Sequence, residues 1–266
     1  MRQVDIHRRR DETVTTKVDQ LRVLQDEPLA GVANMARDEA LLTRVGQGSS
    51  PPTLRLYEWR EPTISLGYFQ SADATSALPV HLRSLAVVRR LTGGGAILHD
   101  FELTYAFALP HGHPLLSGGP NALYERAHDA VIACLSALGV PAWRGCANDD
   151  SGAARGPFFC FARRHCFDVL VGDDKIAGSA QRRTTRAVLQ HGSIIVASRF
   201  AEQPVARLGV SRTEAVRFLR EDFPRRLLDA AGASLGVRAG TWTPDELAEA
   251  DALAPKYADA DWTRRL

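Results

Sequence analysis

No apolar run in this 266-residue chain approaches the roughly 18 consecutive residues that a membrane-spanning helix needs; the run starting at Ile194 gives out at Ser198. Cysteine is scarce. Cys134, Cys146, Cys160 and Cys166 include no Cys-x-x-Cys pair and are too few for a disulfide scaffold in a chain this long. Charge of one sign is lacking too: the net charge of +2 argues against a general nucleic-acid binder. The N-terminus has no apolar segment of the secretory kind, and Arg2, Arg8, Arg9, Arg10 and Lys17 alternate with Asp5, Asp11, Glu12 and Asp19, which argues against an organelle-targeting peptide. Residues 1–20 therefore read as a disordered lead-in, and a reducing cytoplasm is the expected compartment. No repeat or low-complexity stretch is visible. What remains, 45% hydrophobic and 24% charged residues, suits a globular protein with a sizeable core.

Leu21–Leu24 has strand character, and Asn34 offers an N-cap to a helix through Met35, Leu41, Leu42 and Val45. Leu54–Tyr57 and Thr63–Tyr68 read as short strands about the turn at Glu61-Pro62; Val87–Arg90 and Leu103–Leu109 are further strands. Asn121 begins a second helical face (Leu123, Ala127, Ala130, Cys134, Leu138) that stops at Gly139. Residues 141–158 read as a long loop. Phe167–Val171, the strand from Lys175, and Val188–Ala197 predict a three-stranded antiparallel meander, and the tail after about residue 200 is mostly helical, with a start at Thr243-Pro244-Asp245-Glu246. Without a regular βαβ alternation, the expected class is α+β, a mixed, largely antiparallel sheet flanked by helices. One catalytic domain is expected over 21–266, its core about 48–240.

Three segments concentrate chemistry. In Arg89-Arg90-Leu91-Thr92-Gly93-Gly94-Gly95-Ala96-Ile97-Leu98-His99-Asp100 the glycines permit close backbone approach to a ligand, or simply a flexible turn. No Lys-Ser/Thr follows them, so this is not a phosphate loop. His99 is a candidate for acid–base work or for a structural hydrogen bond. In Cys160-Phe161-Ala162-Arg163-Arg164-His165-Cys166 a cysteine beside cations has the surroundings of a nucleophile, or is a small hydrophobe; the spacing fits no common zinc site. In Asp174-Lys175-Ile176-Ala177-Gly178-Ser179-Ala180-Gln181-Arg182 the small residues Gly178, Ser179 and Ala180 fill a core poorly and leave room for a ligand, while Lys175 is either functional or a solvated hairpin lysine.

With Asn34–Leu42, Ser65–Gln70, Glu102–Tyr105 and Gln190-His191-Gly192-Ser193, these segments together resemble the lipoate–protein ligases and octanoyltransferases, a family related to the catalytic domain of biotin–protein ligases. The likeness covers nearly all of residues 21–266. Cys160-Phe161 ahead of the lysine strand, Glu102–Tyr105 and the closing Lys256–Trp262 are similar to the LipM-type octanoyltransferase branch.

The resemblance implies a fold, a reaction and a site. An octanoyl group would pass from octanoyl-acyl carrier protein to a Cys160 thioester, then to a lysine of a lipoyl-domain protein or the glycine-cleavage carrier protein. The donor is already activated, so no ATP or other cofactor is expected, and neither nucleic acid nor membrane is a partner. Lys175 would favour the thiolate and the developing oxyanion. Arg90, Gly93, Gly94, Gly95, His99, Gly178, Ser179, Ala180 and His191 would shape the substrate site, and no metal is expected. Arg163, Arg164, Arg182, Arg183 and Arg186 are candidates for steering acidic carrier proteins. An ATP-dependent lipoate–protein ligase, an amidotransferase between lipoylated proteins and a non-catalytic lipoyl-domain binder are the alternatives.

Overall fold

The computed structural model describes residues 20–145, 158–162, 165–203, 205–206, 208–231 and 235–266. The expected disorder of residues 1–20 falls outside these, except that Gln20 opens the first strand; most of the 141–158 loop, Cys146, Arg163 and Arg164 also lie outside them.

In chain order the elements are β1 (Gln20–Gln25), α1 (Gly31–Gly46), β2 (Thr53–Tyr57), β3 (Thr63–Leu66), α2 (Val80–Arg83), β4 (Ala86–Arg89), β5 (Ile97–His99), β6 (Phe101–Pro110), α3 (Ala122–Ala137), β7 (Trp143–Arg144), β8 (Val169–Val171), β9 (Asp174–Arg183), β10 (Ala187–Ala197), α4 (Arg212–Ala231), β11 (Gly236–Ala239), α5 (Pro244–Ala258) and α6 (Ala260–Thr263). A large sheet runs β11-β1-β2-β6-β10-β9-β8-β7, and a small one β4-β3-β5. In the large sheet only β11–β1 and β1–β2 pair in parallel. The α+β class with a largely antiparallel mixed sheet is what the pattern predicted, meander included.

Period-two alternation explains the layers. Leu103, Tyr105, Phe107 and Leu109 of β6 join one core with α3 and α4, while Ala106 and Ala108 join a second with α1 and Tyr57, Trp59 and Leu189. Helices thus cover both faces of the large sheet. Ile64, Leu66 and Leu98 of the small sheet close a third cluster with Leu78, Leu82 and Phe159. The tail is fastened to the first helix: Lys256 and Tyr257 both bond Glu39. A capping box at Thr243 and Glu246 starts α5, and Glu246 also pairs with buried Arg22.

One sequence-based expectation is corrected, and one connection goes beyond what was expected. Asn34 caps nothing: α1 begins at Gly31, and the Asn34 amide instead donates to the Leu29 and Glu58 carbonyls while its oxygen accepts from Arg55. The strands on either side of Glu61-Pro62 do not pair with each other; β2 belongs to the large sheet and β3 to the small one. The chain changes sheets at this point, and the gap between the two sheets becomes the site.

Candidate active site

The floor of the gap is a cross-strand row, Tyr57–Thr104–Ser193–Gly178, on β2, β6, β10 and β9. The next row is Arg55–Ala106–His191–Ala180. Opposite stand Ser65 of β3, His99 of β5 and the segment after β4. Together they enclose a cavity of about 480 Å³, mouth included.

Backbone packing brings the cysteine in. Cys160 N–H donates to the Ala96 carbonyl at 2.7 Å, and Ala96 N–H to that of Phe158 at 3.2 Å. A Cβ on Gly95 would lie 3.3 Å from the Phe158 carbonyl oxygen and 3.4 Å from Cys160 N, so a side chain there would crowd this bridge. Gly67 approaches even closer: its Cβ would fall 1.9 Å from the Gly94 carbonyl oxygen, and Gly94 itself has φ +89°. The glycines serve first to seat the cysteine segment against the small sheet.

Lys175 meets Cys160 from the other side. Its Nζ lies 3.7 Å from Cys160 Sγ, 2.9 Å from Asp168 Oδ1 and 4.8 Å from the centre of the Phe161 ring. The lysine is buried, not a solvated hairpin residue. It can lie flat along β9 because Gly178 is bare; a Cβ there would sit 2.6 Å from Lys175 Cε.

Two buried hydroxyl–imidazole–carboxylate chains brace the walls. Ser65 Oγ is 2.7 Å from His99 Nε2, and His99 Nδ1 is 2.9 Å from Glu102. Thr92 Oγ1 is 2.6 Å from His191 Nε2, and His191 Nδ1 is 3.1 Å from Asp38, which also receives Arg55 and Tyr57. Burial lowers the His99 pKa despite the Glu102 charge, so the ring is neutral; Nδ1–H donates to Glu102 and Nε2 accepts from Ser65. Trp59 stacks on that imidazole at 3.8 Å and donates to Thr104. Burial would raise the Asp38 carboxyl, but the bonds from His191 and Arg55 reverse this and hold it below its usual range. Such an imidazole is a wall fixture, the structural one of the two readings given above for His99.

Cys160, Lys175, Arg90, Gly93, Gly94, His99, Gly178, Ser179, Ala180 and His191 all line the cavity, whereas Gly95 stands behind its wall. Cys166 does not line it, and Cys134 is buried in α3 with its thiol pushed up to about 12 by burial. No group of histidine, cysteine and acidic side chains able to hold a metal exists among the described residues. Sequence reasoning missed Asp168, Tyr57 and Trp59. Asp168 left a trace, a lone carboxylate inside the otherwise apolar Phe167–Val171; the other two look like ordinary core aromatics.

The lipoyl protein ligase A/B catalytic domain family matches residues 31–212. Octanoyltransferase LipM of Moorella thermoacetica is 37% identical, covering 87% of this chain and 93% of its own. The LipM of Brevibacillus brevis is 30% identical over 93% of this chain and 100% of its own. Among solved structures, protein Ta0514 of T. acidophilum superposes with a TM-score of 0.74 at 25% identity, covering 93% of this chain and all of that one. Lipoate-protein ligase A bound with ATP gives 0.71 at 24%, over 92% and 98%. Fold, motif order and relatives agree: this chain belongs to the lipoyl protein ligase A/B catalytic domain family.

Proposed function

We propose that this chain is an octanoyltransferase of protein lipoylation that carries the acyl group on Cys160. The observation that supports it most directly is the Lys175 ammonium 3.7 Å from the Cys160 sulfur at the wall of a largely apolar cavity. A ligase that adenylates a free acid has no use for that sulfur.

The Cys160 thiolate attacks the thioester carbonyl of octanoyl-acyl carrier protein. The carrier thiolate leaves and takes its proton from Lys175. An acceptor lysine of a lipoyl-domain protein or glycine-cleavage carrier protein then attacks the octanoyl-enzyme as the free amine. Its proton goes to the Lys175 amine, and Cys160 departs as the thiolate it began as. Thioester exchange is nearly balanced and amide formation is downhill, so the cycle closes without a nucleotide or other cofactor.

Arg182, stacked on the Tyr68 ring at 5.0 Å, and exposed Arg183 and Arg186 have no carboxylate partner among the described residues. They suit an acidic carrier surface. No described helix is long and apolar enough to cross a membrane, and a cytoplasmic location is part of this reading.

Intact-mass spectrometry after mixing with octanoyl-acyl carrier protein, without ATP, tests it. Wild type and Cys166→Ser should gain one octanoyl group and Cys160→Ser none. Product formed only from free octanoate with ATP would make the chain a ligase, and loading only from an octanoylated lipoyl domain an amidotransferase. An adduct lost in Cys166→Ser but kept in Cys160→Ser would move the nucleophile.

A further inference from the structure

The charges around Cys160 are unevenly matched. Lys175 reaches the cavity from β9, with Asp168 behind it from the residue before β8. Arg90 comes from the end of β4, Tyr57 from β2, His99 from β5 and His191 from β10; Glu102 and Asp38 lie behind the histidines. Most of these are answered in place. Lys175 is paired with Asp168 at 2.9 Å. Asp38 shares Arg55 with Asp26, which also pairs with Arg37. Glu102 holds the Nδ1–H of His99.

Arg90 differs from all of these. Its guanidinium is buried, yet among the described residues its hydrogen bonds go only to neutral oxygens: the carbonyls of Ser65, Gly93 and Gly95 at 2.8, 2.7 and 2.7 Å, and the hydroxyls of Ser65 and Thr92 at 3.1 and 3.2 Å. The carboxylates reached through its hydrogen bonds, Glu102 through Ser65 and His99 and Asp38 through Thr92 and His191, are each two side chains away. A buried cation without a direct counter-ion is costly. Burial draws the Arg90 pKa down to about 10, and the group that most opposes this is Cys160.

We propose that Arg90, rather than Lys175, is the counter-charge that keeps the Cys160 sulfur ionised, Lys175 and Asp168 forming a neutral pair that passes the proton. This rests on the reading of Cys160 as the nucleophile. It divides the labour: the Arg90 charge is fixed and answers the sulfur both before acyl loading and after acyl release. The Lys175 charge comes and goes with the proton. Arg90 also holds the carbonyls of Gly93 and Gly95, so its position is tied to the bridge that seats Cys160.

The test is the pH dependence of Cys160 alkylation by iodoacetamide in the full chain, with the labelled peptide identified by mass. An opposite charge nearby is worth about one pH unit or more on such a profile. In Arg90→Gln the profile should move up by that amount, making alkylation near neutral pH about tenfold slower. Arg90→Lys should keep most of the wild-type profile, because it retains the charge while losing the planar set of donors. Equal losses in Arg90→Lys and Arg90→Gln would reduce Arg90 to scaffolding and overturn the proposal, as would an unmoved profile in a folded Arg90→Gln.

Should neither Arg90 variant fold, the double variant Lys175→Met/Asp168→Asn, which removes the neutral pair as a whole and leaves no unanswered carboxylate beside the sulfur, decides alone. Its profile should stay close to wild type, and a move to that of a free thiol would return the counter-charge to Lys175. Alkylation reads charge at the free sulfur, whether or not that sulfur accepts an acyl group in turnover. Failure of wild type to acquire octanoyl on Cys160 would instead overturn the transferase reading.

Discussion

Gly178 shows how much of the site depends on an atom that is not there. A methyl group at this position would press on Lys175 Cε and approach Asp168 Oδ1 at 3.2 Å. Gly178→Ala should therefore leave the fold and Cys160 alkylation largely intact while moving the ammonium aside. Single-turnover octanoyl transfer should slow by about a hundredfold, the lower range for loss of a positioned proton donor. An unchanged rate would detach Lys175 from the proton path. At this scale the sequence was informative where chemistry concentrates, and Cys160, Lys175, Arg90, His99 and His191 all reach one cavity. The trace left by Asp168 pointed to no partner, because a carboxylate beside an apolar strand shows its partner only once β8 and β9 are paired.

The elements were legible where one periodicity held and illegible where a polar side chain had a long-range partner. β6, β10 and the β8–β9–β10 meander follow from alternation and turn residues. Asn34 resembled a cap locally, but its partners come from β2 and the segments around it. The two strands about the Glu61-Pro62 turn were legible, but no local signal reveals that the chain changes sheets there.

β9 lends itself to a prediction at this level. Ala180 lies in the row beside the floor, next to His191. Ala180→Leu should fill part of the slot and shift preference from octanoyl toward shorter chains. At about 0.8 kcal/mol for each displaced methylene, two methylenes correspond to roughly a tenfold change in the octanoyl-to-hexanoyl ratio of kcat/KM. An unaltered ratio would mean that the fatty chain lies elsewhere.

For the molecule as a whole, the buried histidines set the acid limit. Burial, only partly offset by the Phe167 carbonyl, pushes the His128 pKa down from 6.5 to about 4. Between these values the unfolded chain binds a proton that the folded one refuses, so stability is complete above about pH 6.5 and falls as pH drops toward 4. The loss amounts to on the order of 3 kcal/mol. Asp26, Asp38 and Glu102, burial opposed in each by stronger ion pairs and hydrogen bonds, are held below the usual carboxylate range and add losses below it. Urea unfolding across pH 7 to 4 should show this slope, and His128→Gln should flatten it by about one proton. An equal slope in the variant would assign the acid sensitivity to the carboxylates alone.

The same buried cavity equips the molecule with an optical reporter. Trp59 lies nearly parallel to the His99 ring, 12° apart, with its indole N–H committed to Thr104. Of the four tryptophans, only Trp59 lines the cavity. Indole emission responds to the polarity of whatever lies alongside. A fatty chain entering the slot therefore announces itself in the ultraviolet, without a label, in the native enzyme.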